Sequence, residues 1–244
     1  MKINKILLLS AALVLVAVIG YSGYQLQDIN RGYAQEAQMH SRVLRLRPTP
    51  RVDPAAPNEN REILDLQAEF SDVVGWLSIP NTRIDYPFVQ GKDNDFYLHL
   101  DLDQNWAAAG TIFMDYRNRP DFSDFSTILF GHHMRNGSMF AALQRFDDPA
   151  FFQANDTGTI FLADKTYEIR FMAFAVIEPN DVVIYNPVIS SDEDKIAFLE
   201  HVRSTARYYR DINATANDRI ITLSTCNYEF YNARMVLVGM LTEI

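Results

Sequence analysis

Apolar residues along this chain fall into three patterns, and each predicts a different kind of element. From Ile6 to Tyr24 they run on as "ILLLSAALVLVAVIGYSGY", with no charge inside and with Lys2 and Lys5 just before. A helix of about 20 apolar residues crosses a bilayer, so this stretch reads as a membrane anchor, and the lysines favour a cytoplasmic N-terminus. A cleaved signal peptide is the competing reading, because its apolar core typically spans about 7–15 residues. No clear small-x-small cleavage site follows. Residues 29–57 then carry Arg42, Arg45, Arg47 and Arg51 and the prolines Pro48, Pro50, Pro54 and Pro57, the composition of a solvated stalk. The division expected is 1–28 anchor, 29–57 extracellular linker, 58–244 folded domain.

Inside that domain the second pattern is one of short apolar runs punctuated by turns. Asn58 can cap a helix through "ENREILDLQAEF", with Ile63, Leu66, Gln67 and Phe70 on one face. Strands are predicted at 73–79, 83–90, 110–115, 126–131, 158–163, 167–177, 219–225 and 234–241, each bounded by turn residues. Eight such runs make a mainly β fold, a closed barrel or a sandwich. The third pattern is helical: Ser190 or Ser191 can cap "DEDKIAFLEHVRSTARYYR", with Ile196, Leu199, Val202, Ala206 and Tyr209 along one stripe.

Composition narrows the function. A formal charge of −9 without clustered Lys and Arg argues against a nucleic-acid partner. A single cysteine excludes an intramolecular disulfide framework. The stretch beginning at Asp101 fails as a calcium loop, since its sixth position is Trp106 and its twelfth Ile112. No metal is expected, because adjacent His132 and His133 point opposite ways on an extended segment and no further ligand lies at suitable spacing.

The lone Cys226 closes the strand "RIITLST", sharing its parity with Ile220, Thr222 and Ser224, and a short return brings Arg234 to the same rim. His132 follows the strand "STILF" through Gly131. A free thiol is only a few per cent thiolate at pH 7, and a histidine beside it supplies more. Arginine stays charged and offers a fork of donors to a developing oxyanion. Taken singly, Cys226 reads as a core filler, His132 as a loop residue and Arg234 as a solvated edge charge. Their joint occurrence points to thiol nucleophilic catalysis.

These motifs, "TLSTC" with "ARMVLVG" and the upstream "ILFGHHM…GSMF", resemble the sortases, class B in particular. "VVGWLSIPNTRIDYPFVQGKDNDFYLHLDL" and "GTIFMDYRN" are similar to class B segments in order and spacing, and the likeness covers residues 58–244. It implies an eight-stranded sortase barrel with N-terminal helices and a long helix before the cysteine strand. It also implies a membrane-anchored thiol transpeptidase, catalytic domain outside the cell, that needs no cofactor. By motif, Cys226 is the nucleophile, His132 the acid/base and Arg234 the residue that holds the substrate carbonyl. Asn94, Leu98, Phe130, Ser224 and Thr225 are the substrate-binding set, and the loop "PNDVVIYNPVIS" lines the groove. Two positions depart from the family's habit: Phe130 stands where tyrosine is frequent, and Asn227 where an acidic residue sometimes follows the cysteine. The partners implied are surface proteins bearing a sorting signal and an amine from peptidoglycan precursor or pilin. The alternatives are a cell-wall cysteine peptidase or amidase that passes the acyl group to water, and a non-catalytic tethered binding module.

Overall fold

Period-two alternation sorts the strands' side chains onto two faces, and the strands close on themselves. The computed structural model describes residues 5–49, 59–226 and 233–244. Its strands are β1 (Val73–Ser78), β2 (Asp85–Gln90), β3 (Ile112–Met114), β4 (Ser126–His132), β5 (Thr157–Leu162), β6 (Thr166–Ile177), β7 (Tyr208–Tyr209), β8 (Arg219–Cys226) and β9 (Arg234–Glu243). They follow the order β5-β1-β2-β3-β4-β8-β9-β6-β7, and β5 also pairs with β6. That last pairing closes eight strands into a barrel, with β7 an appendage on β6, so the barrel rather than the sandwich is formed. Closure leaves none of the eight as a free edge for another chain to pair with. Two contacts are parallel, β2 with β3 and β4 with β8; the others are antiparallel.

The inward face is filled by Leu77, Phe88, Leu129, Ile160, Phe171, Ile221 and Leu237, and a 3-10 segment, Phe140–Asp147, adds Phe140, Leu143 and Phe146 to the same cluster. Packing there is close enough to exclude a methyl group at Gly75. A Cβ at that position would lie against the Phe161 carbonyl oxygen and 2.8 Å from both Leu162 and Phe88. Gly75→Ala is therefore expected to destabilise the barrel by about 1–3 kcal/mol, read as a fall of several degrees in Tm.

Outside the barrel lie α1 (Lys5–Val43), α2 (Arg61–Glu69), α3 (Pro149–Ala154) and α4 (Asp192–Thr205). The first half of α1 is long and apolar enough to cross a membrane, by length and composition. Its 39 residues make about 58 Å of helix at roughly 1.5 Å per residue, well beyond a bilayer core of about 30 Å. The remainder packs on the barrel. Val43 is buried, the His40 ring lies 4.4 Å from Tyr86, and Arg42 bonds to both Glu69 and Asp103. Arg45 and Arg47 pair with Glu69 of α2 and Asp85 of β2, so these three stalk arginines face carboxylates of the folded domain. Pro50, Arg51, Pro54, Pro57 and Asn58 lie outside the described residues.

Two helices differ in detail from their sequence patterns. Asn60, not Asn58, stands at the N-cap of α2, and its amide turns away from the helix to donate to Leu162, Lys165 and Thr166. On α4, capped by Ser191, the buried pair is Phe198 and Val202, while Ile196 is 50% exposed. The larger Phe198 ring meets Phe125 edge-on at 5.7 Å, and this contact rotates the buried stripe away from Ile196. Ala206 caps the helix and Tyr209 belongs to β7.

Candidate active site

The ends of three adjacent strands bring the expected catalytic residues to one level. The parallel pairing of β4 with β8 places His132 opposite Cys226. The antiparallel pairing of β8 with β9 sets Ser224 opposite Val236, and the same register two residues on brings Arg234 level with Cys226. Neighbouring strands are about 4.8 Å apart, so the three backbones stand side by side at one rim.

His132 is held through Nε2 and through the face of its ring. Its Nε2 lies 2.7 Å from the Leu98 carbonyl oxygen, and its ring stacks on His99 at 5.5 Å between centroids. A carbonyl only accepts, so Nε2 carries a proton and, in the neutral ring, Nδ1 is the nitrogen left with a lone pair. His133 is directed elsewhere: its Nε2 lies 3.1 Å from Gln144 Oε1 on the 3-10 segment. Arg234, half-buried, donates from a terminal guanidinium nitrogen to the Thr225 carbonyl at 3.2 Å, and the Met235 amide donates to Thr225 Oγ1. Thr225 is thereby fixed against the start of β9.

Beside this rim runs a groove of about 540 Å³. Asn94, Leu98, Phe130, Ser224, Thr225 and Arg234 all line it, so the five expected substrate-binding residues and the arginine face one cavity. The loop before α4 forms the facing wall, with Tyr185 as its anchor. The Tyr185 hydroxyl is 2.9 Å from Ser224 Oγ, and its ring stacks at 6.0 Å on Phe130. Asp181 holds the same loop by accepting from the Val183 and Ile184 amides and by pairing with His201 of α4 at 2.8 Å.

A buried carboxylate underlies the groove. Asp115, wholly buried, receives Arg117 Nε at 2.9 Å, an Arg117 terminal nitrogen at 2.7 Å and Asn94 Nδ2 at 3.0 Å. Asn94 Oδ1 accepts in turn from the Tyr116 amide, and Arg117 donates also to the Tyr185 carbonyl. Burial opposes ionisation of Asp115, but the hydrogen bonds from Arg117 and Asn94 outweigh it and hold the carboxyl below its ordinary range. A carboxyl depressed in the folded state contributes stability at pH values above the usual carboxylate pKa, about 3.9, and that contribution is lost as the pH falls through the folded value. Arg117→Gln leaves a buried charge short of its cation, a cost of about 3 kcal/mol at neutral pH. Urea midpoints measured from pH 3 to 7 are expected to show the gap between parent and variant widest at neutral pH and narrowing as the pH falls, because protonation of Asp115 removes the charge that the variant leaves unpaired.

Asp115, Arg117 and Tyr185 escaped the reading of the residues. An acid two places before an arginine, directly after the apolar run "GTIFM", is the signal that points to the first two.

Comparison with known proteins agrees with this arrangement. Residues 77–242 match the Sortase domain family. Sortase B of Listeria monocytogenes is 37% identical over 253 residues, spanning 99% of each chain. Among solved structures, sortase B from B. anthracis in complex with AAEK1 superposes with a TM-score of 0.78 at 28% identity, covering 88% of this chain and 99% of that one. The Staphylococcus aureus sortase B–substrate complex gives 0.72 at 29% identity, over 76% and 87%. With a barrel, a cysteine–histidine–arginine rim and full-length likeness all in agreement, the chain belongs to the sortase family, class B, whose members are cysteine transpeptidases of cell-wall sorting.

Proposed function

We propose that Cys226 is the nucleophile of a two-step acyl transfer, with His132 the acid/base and Arg234 the holder of the reacting carbonyl. The observation that carries this is the shared register of the three residues across β4, β8 and β9, at the rim of a groove. In the first step sulfur attacks the carbonyl carbon of a threonine-like residue in a C-terminal sorting signal. The carbonyl oxygen takes negative charge beside the Arg234 guanidinium. The C–N bond then breaks, His132 gives its proton to the departing amine, and a thioester remains. In the second step an acceptor amine attacks the thioester, His132 takes the amine's proton, and Cys226 leaves as thiolate. Since Nε2 is engaged by Leu98, the proton moves at Nδ1.

The donor is a surface protein lying in the groove against Asn94, Leu98, Phe130, Ser224 and Thr225, with a motif of the LPxTG or NPxTN kind. The acceptor is a peptidoglycan-precursor or pilin amine. Residues 1–28 hold the enzyme in the cell membrane as a single span, a reading supported by the hydropathy of the first half of α1, 29–57 lead out of it with the second half of that helix against the barrel, and 58–244 form the extracellular catalytic domain. Incubation with a sorting-signal peptide, with and without a primary amine, tests the reaction class. A peptide joined to the amine is expected. Hydrolysis alone, unchanged by the amine, points instead to a cell-wall peptidase or amidase.

A further inference from the structure

The groove beside the rim continues past Arg117. On the far side of that residue a second cavity of about 650 Å³ opens, at the beginnings of β4 and β8. Arg117 lines both cavities and they share a wall, residues 179–182, 185 and 186 of the loop before α4 lining the first and 187–190 the second.

Four cations line the second cavity. Arg117 is paired with Asp115 at 2.7 Å and Lys195 with Asp192 at 3.0 Å, which leaves Arg119 and Arg219 against the carboxylates of Asp124 and Asp218, in a chain of net charge −9. Both carboxylates are committed to their own turns. Asp124 accepts from the Arg119 amide at 2.7 Å and from Asn118 Nδ2 at 3.0 Å, and Asp218 accepts from the Thr215 amide at 2.7 Å and its hydroxyl at 2.8 Å. The Arg119 guanidinium comes no nearer than 3.9 Å to Asp124 and is 72% exposed. Arg219 is exposed, lies over the Tyr167 ring at 6.0 Å, and makes no ion pair among the described residues. Exposed guanidinium groups so weakly neutralised are donors waiting for an anion.

Distance identifies which part of a substrate reaches them. From Arg219 to Thr225 is six residues of extended strand, about 20 Å at roughly 3.3 Å per residue. An extended peptide whose reacting carbonyl lies at Arg234 covers the same distance in about six residues. The donor is part of a larger protein, so its chain must leave the groove on the N-terminal side of the motif. An acceptor amine, by contrast, has to approach at the strand-end rim, at the other end of β8 from Arg219.

We infer that the second cavity is a subsite for the acyl donor, and that it selects acidic side chains in the flank about five to seven residues N-terminal to the scissile bond. The inference rests on the first groove being the donor site, and the test separates the two. The full chain in detergent micelles is given peptides of one sorting motif carrying an acidic, a neutral or a basic flank, with an amine acceptor in excess. The acidic flank is expected to raise kcat/KM about fivefold over the neutral one at low salt, and the difference to collapse in about 0.5 M salt. In the R119E/R219E variant the preference reverses while the neutral peptide is processed as before, which also reports that the variant is folded. Equal kcat/KM for all three flanks in the parent enzyme overturns the subsite while leaving the donor groove in place. A variant that loses activity equally on every peptide overturns it too. Failure of the parent enzyme on every peptide removes the donor groove and the subsite together.

Discussion

Replacing Cys226 with alanine is expected to abolish acyl transfer, lowering the rate by about four orders of magnitude or more. Removal of the nucleophile takes away the covalent route altogether, and what remains is whatever a groove and an oxyanion donor do for direct attack by an amine or water. The same size of loss is expected for His132→Ala, and the double variant is expected to be little worse than either single one, because the two groups act in one proton transfer and their effects do not add. The measurement is the initial rate of ligated peptide by chromatography, with Tm as the control for folding. His132 adds a control. Its Nε2 is bound to the Leu98 carbonyl, and a glutamine amide can keep that contact but neither accepts nor gives up a proton near neutral pH, so His132→Gln is expected to fall as far as His132→Ala.

Arg234→Lys is the second large effect, a fall of about 10²-fold to 10³-fold in kcat with a much smaller change in KM. The loss of one oxyanion donor typically costs that much, because the interaction strengthens as charge develops on the oxygen. Lysine keeps the charge, but Arg234 already donates to the Thr225 carbonyl, and a guanidinium has further N–H groups in fixed geometry for a second acceptor. An ammonium on a flexible stem cannot hold both partners in the same way. Arginine also stays protonated across the working range, so the parent enzyme's pH profile is expected to report the Cys226–His132 pair and to keep its shape in Arg234→Lys. Steady-state kinetics at several pH values, with kcat and KM resolved, check both points. A change confined to KM would assign Arg234 to ground-state binding only.

The strands of the barrel were readable because each is a short apolar run bounded by turn residues. Ile221 and Leu223 face the interior while Ile220 packs under α4, so β8 is buried on both faces and shows as a continuous run. The hairpin from β8 to β9 was likewise local, and so was the approach of Arg234 to the end of β8. What joins β4 to β8 is not local. About ninety residues separate His132 from Cys226 in the chain, and parallel pairing leaves no turn motif to announce it. Resemblance to the sortases, not periodicity, brought the histidine to the thiol. The groove's foundation was hidden for another reason. Asp115 and Arg117 lie just past the end of β3, where no periodic pattern continues, and only the turn there folds the guanidinium back on the carboxylate. Asn94 was expected to meet substrate, and the structure shows its amide also bracing Asp115 and the Tyr116 backbone. β7 escaped because two residues make no pattern, and the buried stripe of α4 shifted because one phenylalanine outweighed an isoleucine.

The proposed chemistry is most directly tested by intact-mass spectrometry of the enzyme quenched in acid during turnover of a sorting-signal peptide. The predicted result is a mass increase equal to the N-terminal fragment of the peptide, mapped to Cys226 on digestion, removed by hydroxylamine and lost faster when an amine acceptor is added. Steady cleavage of the peptide with no adduct on Cys226, or with full activity in Cys226→Ala, would contradict it.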